Sequence, residues 1–198
     1  MHAAERDTER VKRLRQEFIE ALQHEDSTRF KFVDETSVNL TSTRRYGRAP
    51  GGQRLDAAVP LRHGPNVTVV AALSVQGVEA VMELAGALNT ASFAVYLDQV
   101  LGPGLQPGDV VVLDNLPVHK ADGLAALVEA RGARLLYLPP YSPDFTPIEL
   151  AFSKLKTHLR SAAARTREAL TNALQAALAC ITAEDAQNWF DHCGYHVH

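Results

Sequence analysis

Val110-Val111-Val112-Leu113-Asp114-Asn115 is the stretch on which the reading of this chain turns. Four apolar residues, three of them β-branched, follow one another without a polar break and describe a strand buried on both faces. An aspartate at the end of such a strand is poor filler, because a carboxylate taken out of water needs a partner or a metal. The ordinary alternative is a turn, since Asp-Asn with Pro117 close behind begins many of them. Two more acids invite the same question. Asp34 ends the apolar stretch Phe30-Lys31-Phe32-Val33-Asp34, and Glu149 opens a helix at Thr146-Pro147-Ile148-Glu149, with 34 residues between it and Asp114.

Working outward, strands are expected at Phe30–Val38, Asn66–Leu73, Val78–Leu84, Asp109–Asp114 and Arg134–Leu138. Alternation puts Phe30, Phe32 and Asp34 on one face of the first strand, and Lys31, Val33 and Glu35 on the other. Gln76-Gly77 is a hairpin signal between the second and third. Asn89-Thr90 caps a helix with apolar positions Phe93, Tyr96, Leu97, Val100 and Leu101. A further helix around Leu124–Val128 is closed by Gly132. Helices are also expected from Pro147 to about Ala164, over 166–179 and from Ala183 to Phe190. Three hairpin-type strands followed by alternating helices and strands imply an α/β fold, a mixed five-stranded sheet covered by helices. Residues 1–28 form an amino-terminal linker, with a helix over 5–24 whose stripe is Val11, Leu14, Phe18 and Leu22. Residues 29–198 make the main domain.

The helix after Thr146 carries two patterns. Ile148, Phe152, Leu155 and Leu159 form a core stripe, and Glu149, Ser153, Lys156 and Arg160 repeat the spacing one position round. An acid for a metal thus shares a face with cations for phosphate. The structural alternative is a capping box, with Thr146 as N-cap and Glu149 reaching back to it. Cations also cluster between the first two strands, where Arg44, Arg45, Arg48 and Arg54 stand among Gly47, Gly51 and Gly52 and suit a phosphate chain. His119 can serve as an acid or base, a phosphate contact or a packed residue. Cys193 with His192, His196 and His198 matches no standard zinc spacing. Three carboxylates instead supply hard oxygen ligands for Mg²⁺ or Mn²⁺. Two such ions suit in-line displacement at a phosphodiester, where one oxygen must be activated and another stabilised as it leaves.

Composition sets bounds. The formal net charge of −3 over 198 residues is weak for a chain that grips DNA unaided. No run of apolar residues is long enough for a membrane helix. Two cysteines are too few for a disulfide framework, so the chain reads as intracellular.

Phe32-Val33-Asp34-Glu35-Thr36, Leu113-Asp114-Asn115 with His119, and Pro139-Pro140-Tyr141-Ser142-Pro143-Asp144-Phe145-Thr146-Pro147-Ile148-Glu149 resemble the catalytic domain of bacterial insertion-sequence transposases. The branch is the IS-six-thirty group of the mariner-like superfamily. The resemblance runs from about Phe30 to Tyr195, and Phe145-Thr146 stands where Leu-Asn is usual. It implies a ribonuclease H-like fold and an Asp-Asp-Glu triad of Asp34, Asp114 and Glu149 that binds two Mg²⁺ (or Mn²⁺). The implied activity is cleavage at the inverted-repeat ends of a mobile element, then attack of the freed 3′-hydroxyl on target DNA. Arg44, Arg45, Arg48, Arg54, His119, Lys156 and Arg160 are the expected DNA contacts. A homodimer is expected, in the bacterial cytoplasm and on the nucleoid when DNA is bound. Recognition is expected from an amino-terminal helix-turn-helix module, or from the product of a partner reading frame, which this chain lacks. A ribonuclease H-like nuclease without strand transfer, and a truncated regulatory subunit, are the competing readings.

Overall fold

Strand β4, Val110–Leu113, is buried along its whole length in the computed structural model. The structure describes residues 3–22, 25–44, 46–54, 56, 58, 60–61, 64 and 66–196. Strand β1, Phe30–Val38, runs parallel to β4, with Phe30 opposite Val110 and Phe32 opposite Val112. On its other edge β1 pairs antiparallel with β2, Val67–Ser74, which turns back into β3, Gly77–Ala85. Strand β5, Arg134–Tyr137, lies parallel to β4. The sheet order is β3-β2-β1-β4-β5, so its two parallel joints lie beside the strand that ends in Asp114.

Both faces of the sheet are covered. Helices α4 (Ile148–Ala162), α5 (Arg167–Ala179) and α6 (Ala183–His192) form one layer. Phe30 and Phe32 from β1, and Val110 and Val112 from β4, pack with Ile148, Phe152, Leu155, Leu159, Leu174 and Phe190 in that core. Aromatic edges meet there: Phe32 and Phe190 stand 5.3 Å apart between ring centres at 87°, a favoured edge-to-face geometry. The opposite layer holds α2 (Thr90–Val95) and α3 (Leu124–Glu129), against Val33, Val111 and Leu113. Strand alternation thus explains the two cores, because odd and even positions of β1 and β4 serve different layers.

Several local expectations are revised. The hairpin loop is Val75-Gln76, and Gly77, at φ 125°, already pairs with Ser74 in the ladder. The helix capped by Asn89 is α-helical only to Val95 and continues as a π-helical turn over Tyr96–Leu101. The amino-terminal helix begins later: Ala4–Asp7 is a 3₁₀ turn and α1 spans Glu9–Leu22. Its stripe behaves as expected, with Val11 and Phe18 buried.

Candidate active site

The register of β1 on β4 builds the centre of the site. Pairing runs from Phe30↔Val110 to Phe32↔Val112, so two more residues along each strand bring Asp34 beside Asp114. Phe30, Phe32, Val110 and Val112 face the α4 layer, and Asp34 continues the first of those series. Helix α4 begins on that side, and Glu149 is in its first turn. Asp34, Asp114 and Glu149 all line one cleft of about 500 Å³. Its far wall is the loop Leu138–Pro143, which carries Tyr141 at φ 56°. Asn115 ties the end of β4 to that loop by donating to the Leu138 carbonyl.

Each acid has a different environment. Asp34 is mostly buried, and its Oδ1 accepts the Glu35 N–H at 2.8 Å. Burial, followed by the charges of Glu35, Glu149 and Asp114, pushes its carboxyl up to about 7, against the pull of that single N–H. Asp114 is half exposed. Burial works to raise it, but Oδ1 accepts from Leu116 N at 2.9 Å and lies 2.6 Å from His119 Nδ1, and these hold it below the usual carboxylate range. Glu149 makes no hydrogen bond or ion pair with another described side chain. The capping box that the sequence offered as the alternative is absent. Pro147, in helical conformation, is the cap residue, no side chain caps the helix, and Glu149 N–H reaches the Thr146 carbonyl at 3.3 Å. Thr146 makes no side-chain bond to the first turn, which leaves the Glu149 carboxylate available to the cleft.

His119, expected as a DNA contact, is turned inward and away from solvent. Its ring is fully buried, 4.5 Å from the Phe93 ring, in a 3₁₀ turn that Tyr137 pins by donating to the His119 carbonyl at 2.8 Å. Nδ1 meets Asp114, and Nε2 faces Glu35 Oε2 at 3.5 Å, too far for a good hydrogen bond. Neither Nε2 nor Oε2 has another partner among the described residues. Burial pushes His119 down, but Asp114 and Glu35 outweigh it and bring the imidazole up to about 9. Glu35 therefore belongs to the site from the opposite face of β1, a role that its alternation in sequence allowed but did not reveal.

The residues present fit divalent cations in chemistry. Carboxylate oxygens are hard donors, and the upward push on Asp34 from burial, and then from three neighbouring acids, is what a cation offsets. No three acidic, histidine or thiol side chains among the described residues are gathered tightly enough to hold one ion together. Pairs suffice where waters and phosphate oxygens complete the octahedron.

The expected basic contacts separate into groups. Arg44 reaches α4, donating Nε to Ser161 Oγ at 3.3 Å, and shares a surface cleft of about 300 Å³ with Tyr46, Thr157 and Arg160. Arg48 and Arg54 are exposed, Lys156 is half-buried on α4, and Arg45 lies outside the described residues. Arg165, which sequence reading passed over, anchors the start of the arginine-bearing loop by donating to the carbonyls of Leu40 and Ser42.

The model of one family, described as DDE superfamily endonuclease, matches residues 29–171. The chain belongs to that family. As a DDE superfamily endonuclease domain it also has solved structural relatives. Mos1 transposase in a paired-end complex with the left transposon end matches at a TM-score of 0.75 and 20% identity, over 100% of this chain and 61% of that one. The isolated catalytic domain of Mos1 mariner transposase matches at 0.68 and 16%, over 98% and 90%. A pre-cleavage Mos1 transpososome matches at 0.73 and 18%, over 100% and 63%. These likenesses establish the ribonuclease H-like fold, and the chain spans about six-tenths of the Mos1 chains in those complexes. Comparison with curated proteins returns no match. No helix among the described residues is long and apolar enough to cross a membrane.

Proposed function

We propose that this chain is the catalytic domain of a DNA transposase. It cuts the ends of a mobile element by hydrolysis and joins the freed 3′-hydroxyl to target DNA. The observation that carries the reading is the cleft itself. Asp34, midway along β1, and Asp114, just past the carboxyl end of the adjacent parallel strand β4, line one cleft with Glu149, a glutamate not engaged in capping at the head of α4. That is where α/β sheets place chemistry. Solved relatives of the same fold are Mos1 paired-end complexes with Mg or Mn, and a Mos1 strand transfer complex.

Asp34, Asp114 and Glu149 would hold the divalent cations, as two Mg²⁺ or Mn²⁺ ions. When bound, these supply activation of the attacking oxygen and charge neutralisation at the departing one. The chain's own residues prepare that cleft. His119 and Leu116 N–H fix Oδ1 of Asp114, and the Glu35 N–H does the same for Oδ1 of Asp34. Lys156 and Arg160 lie two and three turns along α4 from Glu149, the latter about 16 Å away. Together with Arg44, Arg48 and Arg54 they extend a phosphate-binding face from the cleft. A net charge of −3 leaves sequence recognition to an amino-terminal helix-turn-helix module. Joining two ends calls for a dimer. Residues 1–28 are the linker and residues 29–198 the catalytic domain.

The test is nicking of plasmid DNA, and joining of oligonucleotide 3′-ends to it, with Mg²⁺ or Mn²⁺. Asp114→Asn should abolish both in a chain that still unfolds in a cooperative thermal transition, although at a lower temperature because buried His119 loses its charged partner. Activity that survives in that variant or in EDTA overturns the reading, and metal-dependent nicking without joining reduces it to a nuclease.

A further inference from the structure

Helix α1 is fastened to the loop that delivers Glu149. Arg15 is the main tie. Its Nη1 donates to Ser142 Oγ at 2.7 Å and to Asp144 Oδ1 at 3.0 Å, and its Nη2 donates to Asp144 Oδ2 at 2.7 Å. The guanidinium also lies 4.1 Å from the centre of the Phe145 ring. Arg6 adds a bond to the same Asp144 oxygen at 3.0 Å, and Phe18 stacks on Phe145 at 5.5 Å. The Arg15 side chain is only 13% exposed. A bidentate fork whose guanidinium is largely withdrawn from water and stacked on an aromatic face is a stronger tie than a fully exposed ion pair, even though the Asp144 side chain is 40% exposed.

Apart from a 3₁₀ turn over Pro143–Phe145, in which Phe145 N–H donates to the Ser142 carbonyl at 3.1 Å, the tied segment has few other restraints. Between β5 and α4 the chain passes through Pro139, Pro140 and Pro143, which offer no N–H to any ladder. Tyr141 sits in the left-handed region at φ 56°, unusual for a bulky residue. Ser142 bonds within the loop, donating to the Pro140 carbonyl at 3.1 Å, and Tyr195 donates to the Phe145 carbonyl at 2.6 Å. Phe145 is four residues before Glu149, and Ser142 itself lines the catalytic cleft.

We infer that Arg15 is a positioning residue: through Ser142, Asp144 and Phe145 it sets the loop that aims Glu149, and α1 thereby tunes the cleft's grip on divalent cations. The inference rests on the proposed role of Glu149 as a ligand. Arg15 touches neither DNA nor metal in this role. It keeps the loop from swinging Glu149 away from the two aspartates.

The experiment uses the full chain without DNA and follows free Mn²⁺ by electron paramagnetic resonance, for wild type, Arg15→Ala, Arg15→Lys, Glu149→Gln and the Arg15→Ala/Glu149→Gln double variant. Arg15→Ala should weaken Mn²⁺ binding by about 10-fold, the scale of losing an outer support of a ligand. Arg15→Lys, which keeps the charge but loses the fork, should recover part of that. In the Glu149→Gln background Arg15→Ala should cost little more, because its effect passes through Glu149. Amide exchange over 139–147 should speed up in Arg15→Ala while β4 and β5 stay protected. Unchanged Mn²⁺ binding in folded Arg15→Ala, or a full additive loss on top of Glu149→Gln, overturns the positioning role. If Glu149→Gln alone leaves Mn²⁺ binding intact, the failure lies instead with the assignment of Glu149 as a ligand. Should Arg15→Ala not fold, Asp144→Asn tests the same tie from the loop side with the same expected loss.

Discussion

Replacing Asp34 with asparagine should abolish DNA cleavage and yet make the metal-free protein more stable. Burial and three neighbouring acids lift the Asp34 carboxyl from 3.8 to about 7, so its ionised form is disfavoured in the folded chain. The sign follows from proton counting. Between pH ~4 and ~7 the folded state keeps a proton that the unfolded state has released, so stability falls as pH rises through that window and levels off above about 7. The full difference corresponds to roughly 4 kcal/mol above pH ~7. Relaxation of the partly open cleft and counter-ions lower that, so about 1–3 kcal/mol is expected. Asparagine keeps the oxygen that accepts from Glu35 N–H and removes the charge. In EDTA at about pH 8, Asp34→Asn should raise Tm by several degrees, since ~1 kcal/mol moves a domain of this size by about 2–4 °C. Near pH 4 the two proteins should melt together. Millimolar Mg²⁺ should stabilise wild type far more than the variant and close the gap. A variant that melts with or below wild type at the higher pH, or a wild type whose stability does not decline across the window, would refute the reasoning.

Two other perturbations follow from the packing and from the basic face. Phe190→Ala removes a fully buried ring set edge-on to Phe32 and against Tyr195. It should cost roughly 3–5 kcal/mol in urea unfolding, and a loss below ~1 kcal/mol would mean that α6 does not seal this core. Arg44→Ala and Arg160→Ala should each weaken DNA binding and lower the slope of log K against log salt by about 1, whereas an unchanged slope would place these arginines off the phosphate track.

Sequence alone carried much of the architecture, because strand and helix geometry are local. Side chains alternate along a strand and recur at three and four along a helix. Uninterrupted valines at 110–112 therefore mean a strand with two covered faces, and Ile148, Phe152, Leu155 and Leu159 mean one buried helical stripe. All seven are buried. The three acids could be singled out for the same reason, as carboxylates at the ends of apolar elements. Which elements meet is not a local property. The parallel register of β1 on β4, not any spacing, sets Asp34 beside Asp114. Burial of His119 between Asp114 and Glu35 needs a turn held by Tyr137 from another strand. Thr146 and Glu149 satisfy a capping pattern in sequence, yet neither side chain caps the helix in the folded chain. The charged face of α1 could be read as solvent-facing, but Arg15 finds its partners 127 and 129 residues away. Periodicity dictates which face of an element leaves water, whereas its neighbour is chosen by long-range packing, and on that choice rests the aim of Glu149.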